Sequence, residues 1–191
     1  NVCQILDVFT MKRNEQYYQN ILCNILTGVS QLRIDKSIAD FVTFENNEAV
    51  VYEIKSDVDN FSRLEKQLIN YYKAFNKITV VISHYKLQKL YQLLGKFNLI
   101  DVGILTLDND NLFYKESEPI TYTQLLSHEA IFKLLRKYEY SNVLLKHFGS
   151  IPESSQVFYF KTCFKEFCKI PILKAQELAF NELRKRTDIS M

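Results

Sequence analysis

The sequence predicts an α/β fold: a mixed sheet flanked by helices, followed by a C-terminal helical extension. Three observations carry this reading. Two short, continuously apolar runs, "ITVVIS" at 78–83 and "VGILTL" at 102–107, have the character of strands covered on both faces. They alternate with stretches of helical periodicity, in the order helix, strand, strand, helix, strand, helix, strand, which suits a sheet with helices packed on it. From about Tyr122 onward only helical patterns remain. Residues 1–120 are therefore expected to form the core and residues 121–191 the extension.

The elements follow in chain order. "KRNEQYYQNILCNILT" (12–27) places Tyr17, Ile21, Leu22, Ile25 and Leu26 at helical spacing, with Gly28 as a stop. "ADFVTF" and "EAVVYEIKS" flank "ENNE", and Asn46-Asn47 suits a hairpin turn because Asn tolerates positive φ. Residues 60–76 read as an amphipathic helix with Phe61, Leu64, Leu68, Tyr72 and Phe75 as its buried stripe. Asn60 or Ser62 can cap it, and Ser62 to Glu65 has capping-box spacing. A helix at 85–97 precedes the strand at 102–107, and "NLFYKE" after "DNDN" reads as an edge hairpin partner. In the extension, helices are expected at 122–138, 140–148, 154–168 and 171–186, punctuated by Gly149 to Pro152 and by Pro171.

Composition narrows the function classes. The chain has 191 residues, 47% hydrophobic, enough for one domain or one domain with a small appendage. Few Gly and Pro argue against long disordered linkers. No apolar run approaches the ~20 residues that span a bilayer, so no membrane partner is expected. No signal-peptide pattern opens the chain, which begins on Asn1. Cys3, Cys23, Cys163 and Cys168 form no CxxC pair, so free thiols in a reducing, cytoplasmic setting are expected rather than a zinc site. His84, His128 and His147 are scattered. His84 after a strand could serve as a loop-mounted base, and a surface or core role is the plainer expectation for all three.

Net charge is +2, unevenly spread: residues 1–120 carry 13 Lys/Arg and 15 Asp/Glu, and residues 121–191 carry 11 and 7. The tail cluster "LRKRT" could touch phosphates or could complement a helix C-terminus. "VFYFKTCFKEFCK" could stack on bases, but Phe158, Cys163 and Phe167 fit a helix core face.

The chemistry concentrates at 40–71. Side chains alternate along a strand, so Glu53 and Lys55 share one side and Tyr52 and Ile54 the other. A hairpin turning at Asn46-Asn47 sets Asp40 near Glu53. Two carboxylates and a lysine then converge, which is unfavourable unless a proton or cation relieves it. Hard oxygen ligands suit Mg²⁺, and a metal-activated water beside a lysine is a plausible phosphodiester nucleophile. Arg63, Gln67 and Tyr71 lie at i, i+4 and i+8, one polar stripe of the following helix. Asp57 and Asp59 are either further metal acids or loop acids at the positive helix N-terminus. A lone Glu-x-Lys on a strand often forms only a solvated pair.

Asp40, then Glu53-Ile54-Lys55, then "QLINY" with Gln67 and Tyr71 resembles the PD-(D/E)xK nuclease superfamily, in particular its RecB-like QxxxY type. The run "SIADFV…YEIKSDVDNFSRLEKQLINYYKAFNKITVVIS" is similar to a family of small bacterial and phage-associated proteins with this nuclease core, covering roughly residues 10–110. Ala39 stands where the first motif would have its proline, and Ile38 where a basic or polar residue is expected. The resemblance implies a restriction-endonuclease-like sheet and an Mg²⁺- or Mn²⁺-dependent nuclease, on DNA more than RNA. It implies Asp40, Glu53 and the Ile54 carbonyl as metal ligands, and Lys55 as the group that positions or activates the water. Glu15 in "RNEQYY" would be a third metal acid or stand just behind the ligands. Gln67, Arg63 and Tyr71 would orient the site or touch substrate. The alternatives are a catalytically degenerate module of the same fold that binds nucleic acid or a protein partner, a homodimer included, and a structural domain of a larger defence or toxin assembly.

Overall fold

The computed structural model describes residues 13–45 and 48–186. It is an α/β protein built on a six-stranded mixed sheet in the order β1-β2-β3-β4-β5-β6. Strands β1 (Gly28–Ile34), β2 (Ser37–Glu45) and β3 (Glu48–Lys55) form an antiparallel meander. Strands β3, β4 (Ile78–Ser83) and β5 (Gly103–Leu107) are parallel, and β6 (Phe113–Ser117) returns antiparallel as the edge. Parallel neighbours need crossovers. Helix α2 (Leu64–Tyr72) makes the first, and α3 (Leu87–Phe97), entered through a 3₁₀ turn at His84–Lys86, makes the second.

The expected buried stripe of α2 is observed: Phe61, Leu64, Leu68, Tyr72 and Phe75 are all buried. They join Val42, Phe44, Val51, Val80 and Ile82 in the main core. On the other face, helix α1 (Glu15–Cys23) sets Tyr18 against Ile54, Val81 and Leu107. The helical extension consists of α4 (His128–Lys133), α5 (Lys137–Phe148), α6 (Tyr159–Phe167) and α7 (Ile172–Arg184). It closes the α2 side, where Phe180 stacks on Phe75 with ring centroids 5.0 Å apart and meets Phe44 edge-on.

Several expectations change. β1 was not anticipated, and Gly28 opens this strand rather than stopping a helix; α1 ends at Cys23 with Asn24 as its C-cap. The reason lies at Gln31, whose φ of 54° breaks the alternation of the strand. The register runs unshifted from Ser30↔Phe41 to Leu32↔Ala39, so the ladder is interrupted at Gln31, opposite Asp40, with no extra residue on either strand. Helix α2 is not capped by Asn60 or Ser62. Its N-cap is Arg63, and Asn60 accepts instead from the Ser62 N–H at 3.0 Å. Residues 122–127 are not helical, because the Tyr122 and Ser127 amides bond to the Asn76 and Lys73 carbonyls and tie the segment to the end of α2. The Asn46-Asn47 turn lies outside the described residues, as does Cys3.

Gly28 has a further steric role. A Cβ there would lie 2.3 Å from the Val42 carbonyl oxygen and 2.8 Å from the Phe41 ring. Gly28→Ala is expected to cost about 1–3 kcal/mol of stability, the usual scale of overpacking. Urea unfolding measures it, and a variant as stable as the parent would refute the close approach.

Candidate active site

The β2–β3 ladder stops at Phe41↔Tyr52, whereas β3 continues beside β4 through Lys55↔Ile82. The two strands therefore part just where Asp40 and Glu53 would face each other. Backbone groups freed by such a fork need partners. The Ile54 N–H finds the Asp40 carboxylate, at 2.7 Å from Oδ2. The Ile38 carbonyl accepts from the Tyr71 hydroxyl at 2.7 Å. The fork is thus filled by side chains, and a cleft of about 420 Å³ opens over it.

Glu53 lies at the centre, 1% exposed. Its Oε1 accepts from Lys55 Nζ and from Gln67 Nε2, and its Oε2 accepts from the Tyr71 hydroxyl, which it shares with Ile38. Lys55 Nζ also donates to Gln67 Oε1 at 3.0 Å. Lys55 and Glu53 are two residues apart on β3, so the pleat puts both on the α2 side. Gln67 and Tyr71, one helical turn apart, meet them there. Asp40, Glu53, Lys55, Gln67 and Tyr71 thus come together as the sequence anticipated. Arg63 lines the cleft from the exposed start of α2, as does Ile54 from β3.

Burial dominates the electrostatics. Asp40, 8% exposed, has its pKa pushed up to about 8, first by burial and then by the Glu53 charge. Burial also raises Glu53, against the opposing pull of Lys55, Tyr71 and Gln67. The Tyr71 phenol is raised by burial and by Glu53, so it stays a donor. Two buried carboxylates that disfavour each other's charge are the donor set a hard divalent cation would relieve, and their oxygen chemistry fits Mg²⁺ or Mn²⁺. Glu15 lines the same cleft from the first turn of α1, within reach of Gln31 Nε2 at 3.4 Å. It does not join the carboxylates closely. Among the described residues, no three or more His, Cys, Asp and Glu side chains group tightly enough to hold a metal.

Asp57 and Asp59 separate. Asp57 turns away from the cleft to a cluster with Arg13, Tyr18 and Ser83; the Tyr18 hydroxyl lies 2.7 Å from Asp57 Oδ1 and Arg13 Nε 3.2 Å from Oδ2. Burial opposes its charge, and the hydrogen bonds from Ser83, Tyr18 and Arg13 outweigh that and hold its pKa low. Asp57 thereby fastens α1 to the ends of β3 and β4. Asp59 lines the cleft, with Oδ2 accepting from the Ser56 N–H at 3.0 Å.

Sequence reading missed several contributors. Lys86 is buried and donates to the Ser56 and Asp59 carbonyls, fixing the loop that follows Lys55. Gln31, Lys36 and Lys66 line the cleft. The tail cations are used internally: Arg186 Nε bonds the buried Glu139 at 2.7 Å, and Lys185 pairs with Glu182. Cys163 and Phe167 are core residues as expected, while Phe158 is 61% exposed. Cys23, Cys163 and Cys168 are free thiols. His128 bonds the Ile170 carbonyl, and His84 lies exposed 3.6 Å from Glu116. Among the described residues no helix is long and apolar enough to cross a membrane.

The sequence matches the family described as Bacteriophage P4 protein cII over residues 3–190. The chain belongs to this family. A match of that extent takes in both the sheet and the helical extension, so the family's unit contains the cleft and the helices behind it. No curated protein matches the chain. Among solved structures, it is similar to SfsA of Pyrococcus furiosus in complex with Ca²⁺, at 14% identity and a TM-score of 0.35. The similarity covers 56% of this chain and 63% of that one, so the chain spans less than two thirds of SfsA's length.

Proposed function

We propose that this phage-family protein is a divalent-metal-dependent nuclease of the PD-(D/E)xK type, hydrolysing phosphodiester bonds in DNA more readily than in RNA. The observation that carries the reading is the convergence of Asp40, Glu53, Lys55 and Gln67 on one cleft at the β2–β3 fork. Asp40, Glu53 and the Ile54 carbonyl would hold Mg²⁺ or Mn²⁺. When bound, the ion would neutralise phosphate charge and lower the pKa of water. The chain's own groups do the rest. Gln67 grips both Glu53 and Lys55 and so fixes the ammonium relative to the carboxylate. The Lys55 ammonium would orient the attacking water and stabilise developing phosphorane charge. Tyr71 holds Glu53 from behind. Glu15 is an outer acid on the α1 wall. Among the described residues, 13–120 would be the catalytic core and 121–186 would brace it.

The test is cleavage of linear and circular DNA with Mg²⁺ or Mn²⁺. Cleavage is expected to stop on chelation and in Glu53→Gln; activity that survives both would remove the assignment. One observation favours a second reading, a non-catalytic binding module: both Glu53 oxygens already have donors from the chain itself. Calorimetry separates the two, because only the nuclease should show Mn²⁺ binding heat that disappears in Glu53→Gln.

A further inference from the structure

The cleft separates its charges by depth. The carboxylates lie at the floor, and its mouth carries three exposed cations, Lys36, Arg63 and Lys66. Lys36 belongs to the β1–β2 turn, while Arg63 and Lys66 lie three residues apart at the start of α2, so the cations occupy two walls. None of the three makes an ion pair with a described residue. Lys77, Lys115, Lys133, Lys169 and Lys174 are each paired with a glutamate, and the exposed Lys161 and Lys165, which like the three have no ion pair with a described residue, do not line the cleft. At the β1–β2 turn the contrast is local. Asp35 is the sequence neighbour of Lys36, yet its carboxylate is held by Lys73 at 2.6 Å, leaving Lys36 unpaired. Between the walls, Ile38 lies 42% exposed, an apolar surface inside a cationic frame.

We infer that Lys36, Arg63 and Lys66 form a phosphate-gripping rim that takes the backbone of a nucleic acid strand on both sides of the cleft. The inference rests on the nuclease reading for its placement of the scissile phosphate at the floor, but the rim can be tested without cleavage. Cations on two walls match an extended polyanion with charges repeated along its length. The exposed Ile38 suits the sugar and base edges between those charges. Single phosphates would engage only one wall. The rim also supplies the positive charge that Ile38 itself does not provide at its position.

The experiment measures binding of fluorescein-labelled single-stranded DNA, duplex DNA and RNA by anisotropy in EDTA, across a salt series. Each lost phosphate contact should reduce the slope of log K against log[salt] by ~0.7 for single strands and ~0.9 for duplex. For Lys36→Gln/Arg63→Gln/Lys66→Gln on duplex DNA the slope should drop by ~2.7. Between ~50 and ~200 mM salt, the parent protein should then lose about 40-fold more affinity than the triple variant. Lys161→Gln/Lys165→Gln, on the exposed side of α6, should leave the slope unchanged. An unchanged slope in the rim variant, a slope carried by α6, or a parent protein that binds none of the three probes would each overturn the rim. Rim-dependent binding without cleavage in Mg²⁺ or Mn²⁺ would uphold the rim and dispose of the nuclease.

Discussion

Lys55→Met is expected to reduce cleavage by at least ~10²-fold, the scale for removing one preorganised charge-stabilising group. It is also expected to destabilise the fold. Lys55 is 6% exposed and Glu53 1%, so their ion pair is buried. Removing one partner of a buried pair typically costs ~3–5 kcal/mol, because the other charge is stranded. Gln67 and Tyr71 still donate to Glu53 in the variant, which places the cost at the lower end. Lost cleavage alone cannot separate a chemical role from a structural one. Assaying cleavage under conditions where Lys55→Met is fully folded separates them. Lys55→Met/Glu53→Gln tests the source of the stability cost, because it removes both charges and leaves two neutral side chains of similar shape. Replacing both partners of a buried pair is often neutral or stabilising. Stability should therefore return in the double variant while cleavage stays absent. Urea unfolding and a plasmid-cleavage assay on the parent and both variants decide it. A folded Lys55→Met that cleaves within tenfold of the parent would remove its proposed role, and a double variant no more stable than Lys55→Met would mean that the stranded Glu53 charge is not the source of the cost.

The parts of the site that sequence made legible are those governed by local periodicity. Glu53 and Lys55 share a face because strands alternate, and Gln67 and Tyr71 share one because they are a helical turn apart. The turn between "ADFVTF" and "EAVVYEIKS" fixed which carboxylate Glu53 would meet. What stayed hidden depends on irregular backbone. The left-handed Gln31 interrupts the apolar alternation of Val29, Leu32 and Ile34, so β1 did not read as a strand. Without β1, the cleft wall bearing Gln31 and Lys36 could not be placed. The fork itself was also invisible. The hairpin pattern predicts a ladder running past Asp40, whereas the strands separate there and Asp40 substitutes its side chain for a backbone acceptor. Asp57 could be assigned only by its long-range partners, Arg13 just before α1, Tyr18 within it and Ser83 at the end of β4.

That substitution gives Asp40 two duties. It completes the hydrogen bonding of Ile54, which any acceptor oxygen can do, and it places a carboxylate beside Glu53, which favours no metal-free folded state. A buried acid where a neutral acceptor would serve lowers stability as soon as it ionises, the trade expected of a residue kept for function rather than for the fold.

Asp40→Asn is accordingly expected to stabilise the metal-free protein and to abolish cleavage. The sign follows from linkage. The Asp40 pKa is about 8 in the folded chain, and an unfolded aspartate titrates near ~3.9. The folded state therefore retains a proton that the unfolded state releases. Its contribution to stability is fully present below pH ~4 and is lost as pH rises through about 8, at up to ~1.4 kcal/mol per pH unit. Glu53, also raised, acts in the same direction. Asparagine keeps an oxygen for the Ile54 N–H and cannot ionise, so the variant's stability should vary less with pH over this window. In EDTA at pH 8 it should exceed the parent by roughly several kcal/mol. Mn²⁺ should raise the parent's melting temperature, because an ion bound only by the folded state stabilises it, and should leave the variant's unchanged. Thermal unfolding from pH 5 to 8.5, with and without Mn²⁺, tests all of this. Parallel pH curves for the two proteins would mean that Asp40 is ionised in the folded chain throughout, and an equal Mn²⁺ shift would mean that the ion binds elsewhere.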